Sequence, residues 1–201
     1  MALAQQTEPR MNAKAFIAWR ETQPVGARYE LYDGRVYEMS AERLVHARIK
    51  SRVHRQFERQ IADRQLPCEA FPDGVAVQVD EDTVFEPDVL VRCGSWLPDD
   101  TILIVDPMIV VEVASPSSQR IDALNKYARY FRNPNIIHYL IVVPTTRIVI
   151  HHTRMADSRI VGMSYSDEGV VRLDPPGLDL SLAELFEGYR ADGAAKGPDI
   201  P

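Results

Sequence analysis

Ile109-Val110-Val111-Glu112-Val113-Ala114 is a run of β-branched residues broken by a single acid. Pro107 and Pro116 bound it, and a short apolar run between such breakers predicts a buried strand. Strand side chains alternate, so Val110, Glu112 and Ala114 share one face and Val111 and Val113 the other. A carboxylate in that setting is costly unless a cation, metal or donor meets it. Glu112 therefore reads either as a metal ligand or as half of a buried ion pair. Upstream, Phe85-Glu86-Pro87-Asp88-Val89-Leu90-Val91 puts Asp88 at the opening of a second apolar strand. Alone, Asp88 reads equally as a turn cap. Two acids at the ends of adjacent buried strands are what a divalent cation needs.

Outward from this pair, the chain alternates strand and helix signals. Asn12 caps a predicted helix through Trp19 and Arg20. Tyr29 to Tyr37 is a hairpin turning at Asp33-Gly34. Leu44 to Arg64 is a long helix, with Val45, Ile49, Val53, Phe57 and Ile61 as its apolar stripe. Pro67 to Asp73 reads as a linker, Gly74 to Val79 as a strand and Cys93 to Asp106 as a loop. Ser115-Pro116-Ser117-Ser118 caps a helix running to Phe131. Ile136 to Val143 is a central strand in hairpin with Arg147 to His151. Weaker strands follow near Ile160 and Val170, and Leu180 to Tyr189 reads as a last helix. Helices interrupting a strand-rich centre predict an α/β chain of the α+β type, a mixed sheet flanked by helices. Residues 1–10 and 191–201 read as flexible tails around one domain spanning 11–190.

The 201 residues carry a net charge of −6, which argues against general affinity for nucleic acid but leaves room for a local basic groove. Cys68 and Cys93 lack Cys-x-x-Cys spacing and read as free thiols in a reducing compartment. No signal peptide or membrane span is legible, so a cytoplasmic protein is expected, with no membrane partner.

Around the acid pair, Asp122 and Lys126 lie four apart on one helix face, distinct from the Ile121/Leu124/Ala128 stripe. Lys126 then either forms a solvated pair with Asp122 or leans over the Glu112 strand. There it would orient or deprotonate a water, or neutralise charge growing on phosphorus. A hard cation such as Mg²⁺ fits one or two carboxylates plus a backbone carbonyl beside Glu112. His46 falls on the apolar side of its helix, as a hydrogen-bonded core histidine or a contact to the site. Glu30 on the hairpin is either half-exposed or reaches the same place. Arg48, Arg52, Arg55 and Arg59 form a stripe better read as solvated than as phosphate-tracking, because Glu58 and Asp63 dilute it. His151 and His152 point to opposite strand faces and cannot easily share one metal.

The ordered set Glu86-Pro87-Asp88, Glu112-Val113-Ala114, Ser115-Pro116-Ser117, Asp122, Lys126 and Tyr130 resembles the large, mainly bacterial "putative restriction endonuclease" family of the PD-(D/E)XK nuclease superfamily. Tyr29 to Gly34, His46 and Ile137 to Val142 extend the likeness over about Phe16 to His152. The resemblance implies a restriction endonuclease-like core and Mg²⁺-dependent hydrolysis of phosphodiester bonds in DNA, with Mn²⁺ as a substitute. It implies Asp88, Glu112 and Lys126 as catalytic residues and Asp88, Glu112 and the Val113 carbonyl as metal ligands. Glu30, His46 and Asp122 would support them. Ala114 stands at the superfamily's motif lysine, a departure that Lys126 from the next helix would cover. Relatives in that superfamily often pair as homodimers, since cutting two strands takes two sites.

Overall fold

A computed structural model of the chain describes residues 10–39, 42–114, 122–166 and 168–189, with 122–125 described by their backbone only. The predicted cap at Ser115–Ser118 and the expected tails, apart from Arg10, lie outside the described residues. Helix α1 spans Ala13–Arg20, and the Asn12 side chain accepts the Ala15 N–H at 2.8 Å, as predicted. Strands β1 (Tyr29–Tyr32) and β2 (Arg35–Glu38) form the hairpin. Asp33 and Gly34 both take positive φ, 49° and 75°, the backbone of a tight two-residue hairpin turn. Helix α2 spans Leu44–Asp63. Next come β3 (Cys68–Pro72), β4 (Ala76–Asp80), β5 (Thr83–Phe85), β6 (Val89–Cys93), β7 (Leu103–Ile104) and β8 (Ile109–Val113). Helix α3 covers Asp122–Tyr130. It leads to β9 (His138–Val143), β10 (Ile148–Arg154), β11 (Ile160–Ser166), β12 (Val170–Leu173), β13 (Leu178–Ser181) and α4 (Leu182–Leu185).

The central sheet runs β11-β10-β9-β8-β6-β3, a second runs β2-β1-β5-β4-β7, and β12-β13 is a ribbon. The central sheet is mixed as expected: β8 and β9 are parallel across α3, and β6 is antiparallel to β8. Period two along β8 sorts its side chains between two cores. Ile109, Val111 and Val113 pack with Ile49, Val53 and Phe57 of α2 and with Leu173, Leu180 and Leu185. Val110 packs oppositely with Phe85, Tyr130, Tyr139 and Ile141. Each fully buried aliphatic or aromatic side chain is worth about 1.5–3 kcal/mol, so α2 is held on the sheet mainly by its apolar stripe.

Several expectations are corrected. The Pro67–Asp73 linker contains β3, an edge strand paired with β6, whose Glu69 and Pro72 hide its strand character. The strand expected to open at Asp88 begins at Val89 as β6, and a further strand, β5, precedes it in the second sheet, with Glu86-Pro87-Asp88 as the crossover between the sheets. Pro87 has no N–H to extend either ladder. The Cys93–Asp106 loop includes β7. The last helix shrinks to α4, because Leu178–Ser181 pairs with β12. Cys68 and Cys93 are not free thiols: they lie directly opposite across β3–β6, with Cα atoms 3.9 Å apart, and form a disulfide. The pair therefore lends no support to the reducing-compartment reading.

Candidate metal centre at the ends of β6 and β8

The antiparallel register sets Val89 against Val111, and the next step sets Asp88 against Glu112. Asp88 is buried, and its Oδ2 accepts the Val113 N–H at 2.6 Å. Glu112 sits on the α3 side, and its Oε1 accepts from the Tyr130 hydroxyl at 2.7 Å and from Lys126 Nζ at 3.2 Å. Lys126 also donates to Glu30 Oε1 at 2.8 Å, and the same oxygen accepts the Glu86 N–H. Lys126 thus leans over the Glu112 strand, as one of its two readings held, and Glu30 reaches the site from the hairpin. The Asp122 side chain lies outside what the structure describes.

From the other face, α2 delivers His46 and Lys50. His46 Nε2 donates to the Val113 carbonyl and lies 3.5 Å from Asp88 Oδ2. The carbonyl expected to bind metal is thus the one His46 touches. Ligand atoms of Glu42, His46 and Asp88 all lie within 4.8 Å of one another, a grouping able to hold a metal ion. Lys50 Nζ donates to Glu42 Oε1 at 2.5 Å and Asp73 Oδ2 at 2.9 Å, and lies 3.7 Å from Asp88 Oδ1. Arg28 bonds Glu86 at 2.7 Å and pairs with Glu42 and Asp73, while Arg20 takes the other Glu86 oxygen. Sequence reasoning missed Lys50, Glu42, Asp73, Arg20 and Arg28. A usable signal was His46 and Lys50, four apart on one face of α2, with Glu42 four residues earlier just ahead of the helix.

Electrostatics follow burial. Burial pushes the Glu112 carboxyl up to about 7, with Lys126 pulling against it and Asp88 and Glu30 adding to the rise. Burial likewise raises Asp88, opposed by His46, the Val113 N–H and Lys50. Burial disfavours the Lys126 ammonium, but Glu112 and Glu30 more than offset it and hold the group above its ordinary range. Lys50 is raised in the same way by Glu42, Asp73 and Asp88.

The arginine stripe of α2 does not face this site. Arg52 donates to the Leu185 carbonyl and Arg59 pairs with Glu184 at 3.0 Å, so both tie α2 to the C-terminal segment. His151 and His152 face opposite ways as expected: His151 meets His138, and His152 lies against Tyr127 at 4.3 Å between ring centroids.

This arrangement is that of the restriction endonuclease-like class of folds. Residues 13–185 match the Uma2 family, described as "Putative restriction endonuclease", and the chain belongs to that family. It is 25% identical over 181 residues to the "Uncharacterized protein slr1290" of Synechocystis, covering 90% of this chain and 93% of that one. Its fold is similar to the crystal structure of "a putative nuclease belonging to DUF820" from Anabaena variabilis. The TM-score is 0.71 at 15% identity, over 88% of this chain and 97% of that chain. Among the described residues, no helix is long and apolar enough to cross a membrane.

Proposed function

We propose that this chain is a Mg²⁺-dependent endonuclease-like hydrolase that cleaves phosphodiester bonds in DNA, with Mn²⁺ able to substitute. The observation that carries the reading is the meeting of Asp88 and Glu112 across β6 and β8, with Lys126 on Glu112. Asp88, Glu112 and the Val113 carbonyl would hold the cation, and Glu42 and His46 bring further donors to Asp88. The residues fit such an ion. Two ion-pair groups meet there, Glu30 and Glu112 around Lys126, and Glu42, Asp73, Glu86 and Asp88 around Arg20, Arg28 and Lys50; with every carboxylate ionised, each group is one acid in excess. That excess is the charge one divalent cation neutralises, and hard cations take oxygen ligands of this kind. When bound, it supplies a Lewis acid for phosphoryl oxygen and a bound water of lowered pKa.

The protein's own groups divide the remaining work. Glu112 and Glu30 hold the Lys126 ammonium above its ordinary range, and as a cation it would orient a water and neutralise charge developing on phosphoryl oxygens. Glu30 and Tyr130 fix Lys126 and Glu112 in place. His46 aims the Val113 carbonyl and Asp88 together. The setting we propose is cytoplasmic DNA, with two copies supplying two sites for two strands.

Ala114 at the motif lysine favours a second reading, a nuclease-fold module that binds nucleic acid or protein without cutting. Calorimetric titration of Mn²⁺ and Mg²⁺ into wild type and Asp88→Ala, with plasmid nicking on the same samples, separates the two. Binding and nicking that both vanish in the variant support the hydrolase. Binding without nicking by wild type points to another substrate or a crippled site, and wild type that binds neither ion overturns the metal centre and leaves the module.

A further inference from the structure

Proteins protect the open edges of their sheets with charge, proline or cover, because an unpaired edge is a template for another strand. Here most edges are protected. Edge strand β2 carries Arg35 and Glu38, and β3 carries Glu69 and Pro72. The β13 edge is closed by two glutamines of α2. Gln60 accepts the Asp179 N–H and donates to its carbonyl, and Gln56 does the same for Ser181. On the other side of that ribbon, β12 carries Arg172.

Strand β11 is different. It lies at the end of the central sheet, paired among the described residues with β10 alone, and reads Ile160-Val161-Gly162-Met163-Ser164-Tyr165-Ser166. Among the described edges longer than two residues, it is the one with neither charge nor proline. Val161 and Met163 are exposed, at 40% and 56%, in the row that continues through Tyr165 into the α2-side core. Its flanks carry charge: exposed Arg159, itself paired with Asp157, precedes it, and exposed Glu168 follows it.

We propose that β11 is the interface for a second copy of this chain, paired antiparallel about a two-fold axis at Met163. In that register Val161 of each copy faces Tyr165 of the other, an aromatic–β-branched cross-strand pair made twice. Each Arg159 comes beside the acidic end of the opposite strand, where Glu168 follows. A parallel pairing would bring like ends together and lose both matches. The isologous geometry closes after two copies, as a C₂ contact must. Two central sheets become one continuous sheet, with both metal centres fixed relative to each other. The surface is read from the strand itself and stands whether or not the site hydrolyses DNA.

Analytical ultracentrifugation of the full chain over a wide concentration series tests it, alongside Met163→Lys, which sets two ammonium groups face to face at the axis. Wild type should sediment at twice 22.7 kDa and Met163→Lys at 22.7 kDa. The charge swap Arg159→Glu should weaken the dimer, and adding Glu168→Arg should restore it. Amide hydrogen exchange on wild type supplies a reading that needs no variant: protection of those amides of 160–166 that do not bond β10 should fall on dilution. A wild type monomeric at every concentration, a dimer indifferent to Met163→Lys, or protection of those amides independent of concentration would each overturn the proposal.

Discussion

Lowering the pH from 6.5 to 4 should destabilise this protein through one buried pair, His138 and His151. Both are nearly inaccessible, at 1% and 5%. His138 Nδ1 and His151 Nε2 share a hydrogen bond at 2.9 Å, and His138 Nε2 donates to the Pro175 carbonyl at 2.9 Å. Burial pulls each imidazole down to about 4, with His138 and His152 pulling His151 further and the Pro175 carbonyl working against the fall at His138. Depressed folded-state values mean the unfolded chain binds protons first. The stability is therefore fully present above the unfolded value of 6.5 and drains away as pH falls toward 4. For one histidine the loss by pH 4 is about 3 kcal/mol, and about twice that if both must charge. Against a domain stability of about 5–15 kcal/mol that is a large share. Urea denaturation of wild type and His138→Asn at half-unit pH steps measures it. The stability of wild type should fall more steeply than that of the variant across this window. Carboxylates held low by ion pairs, such as Glu42 and Asp73, weaken the fold at lower pH in both proteins and cancel in the difference. Parallel curves for the two proteins would refute the assignment.

Lys126→Met should leave Glu30 and Glu112 facing each other without their cation, a loss on the order of 3 kcal/mol of unfolding free energy in urea, and should abolish plasmid nicking. Unchanged stability would mean that the ion pairs are too solvated to matter. Phe57→Ala empties a fully buried position between α2 and the central sheet and should cost about 3–5 kcal/mol by thermal or urea melting. Gln56→Ala strips two hydrogen bonds from Ser181 and should cost about 1–3 kcal/mol, with faster amide exchange at Ser181 as its local signature.

Some residues announced their places through local pattern. The fourfold spacing of Val45, Ile49, Val53 and Phe57 is a helical period, and α2 follows it. Asp33-Gly34 has the backbone freedom that a two-residue turn requires, and the hairpin follows that. Glu112 in a β-branched run advertised a buried acid, because such a charge needs a partner wherever the strand lies. Other positions were illegible for reasons equally physical. Cys68-Glu69-Ala70-Phe71-Pro72 has too little alternation to declare a strand, and it becomes one only because β6 offers a ladder. With that strand hidden, the Cys68–Cys93 pairing was hidden too. Lys50 looked like an ordinary helical lysine, since nothing nearby in sequence reveals that Asp73 and Asp88 converge on it.

The family resemblance set Asp88, Glu112 and Lys126 together, while the sequence by itself determined helix α2, the hairpin and the apolar strands around the two acids. Those are short-range properties of spacing, propensity and hydrophobic period. Only the tertiary structure decided that Glu86-Pro87-Asp88 crosses between two sheets, that β3 closes one edge while β11 leaves the other open, and that His46 and Lys50 approach Asp88 from the face opposite Lys126. Such facts depend on which segments meet across long stretches of chain. Burial, hydrogen-bond pairing and charge compensation are settled there, by packing over the whole molecule and not by any local run of residues.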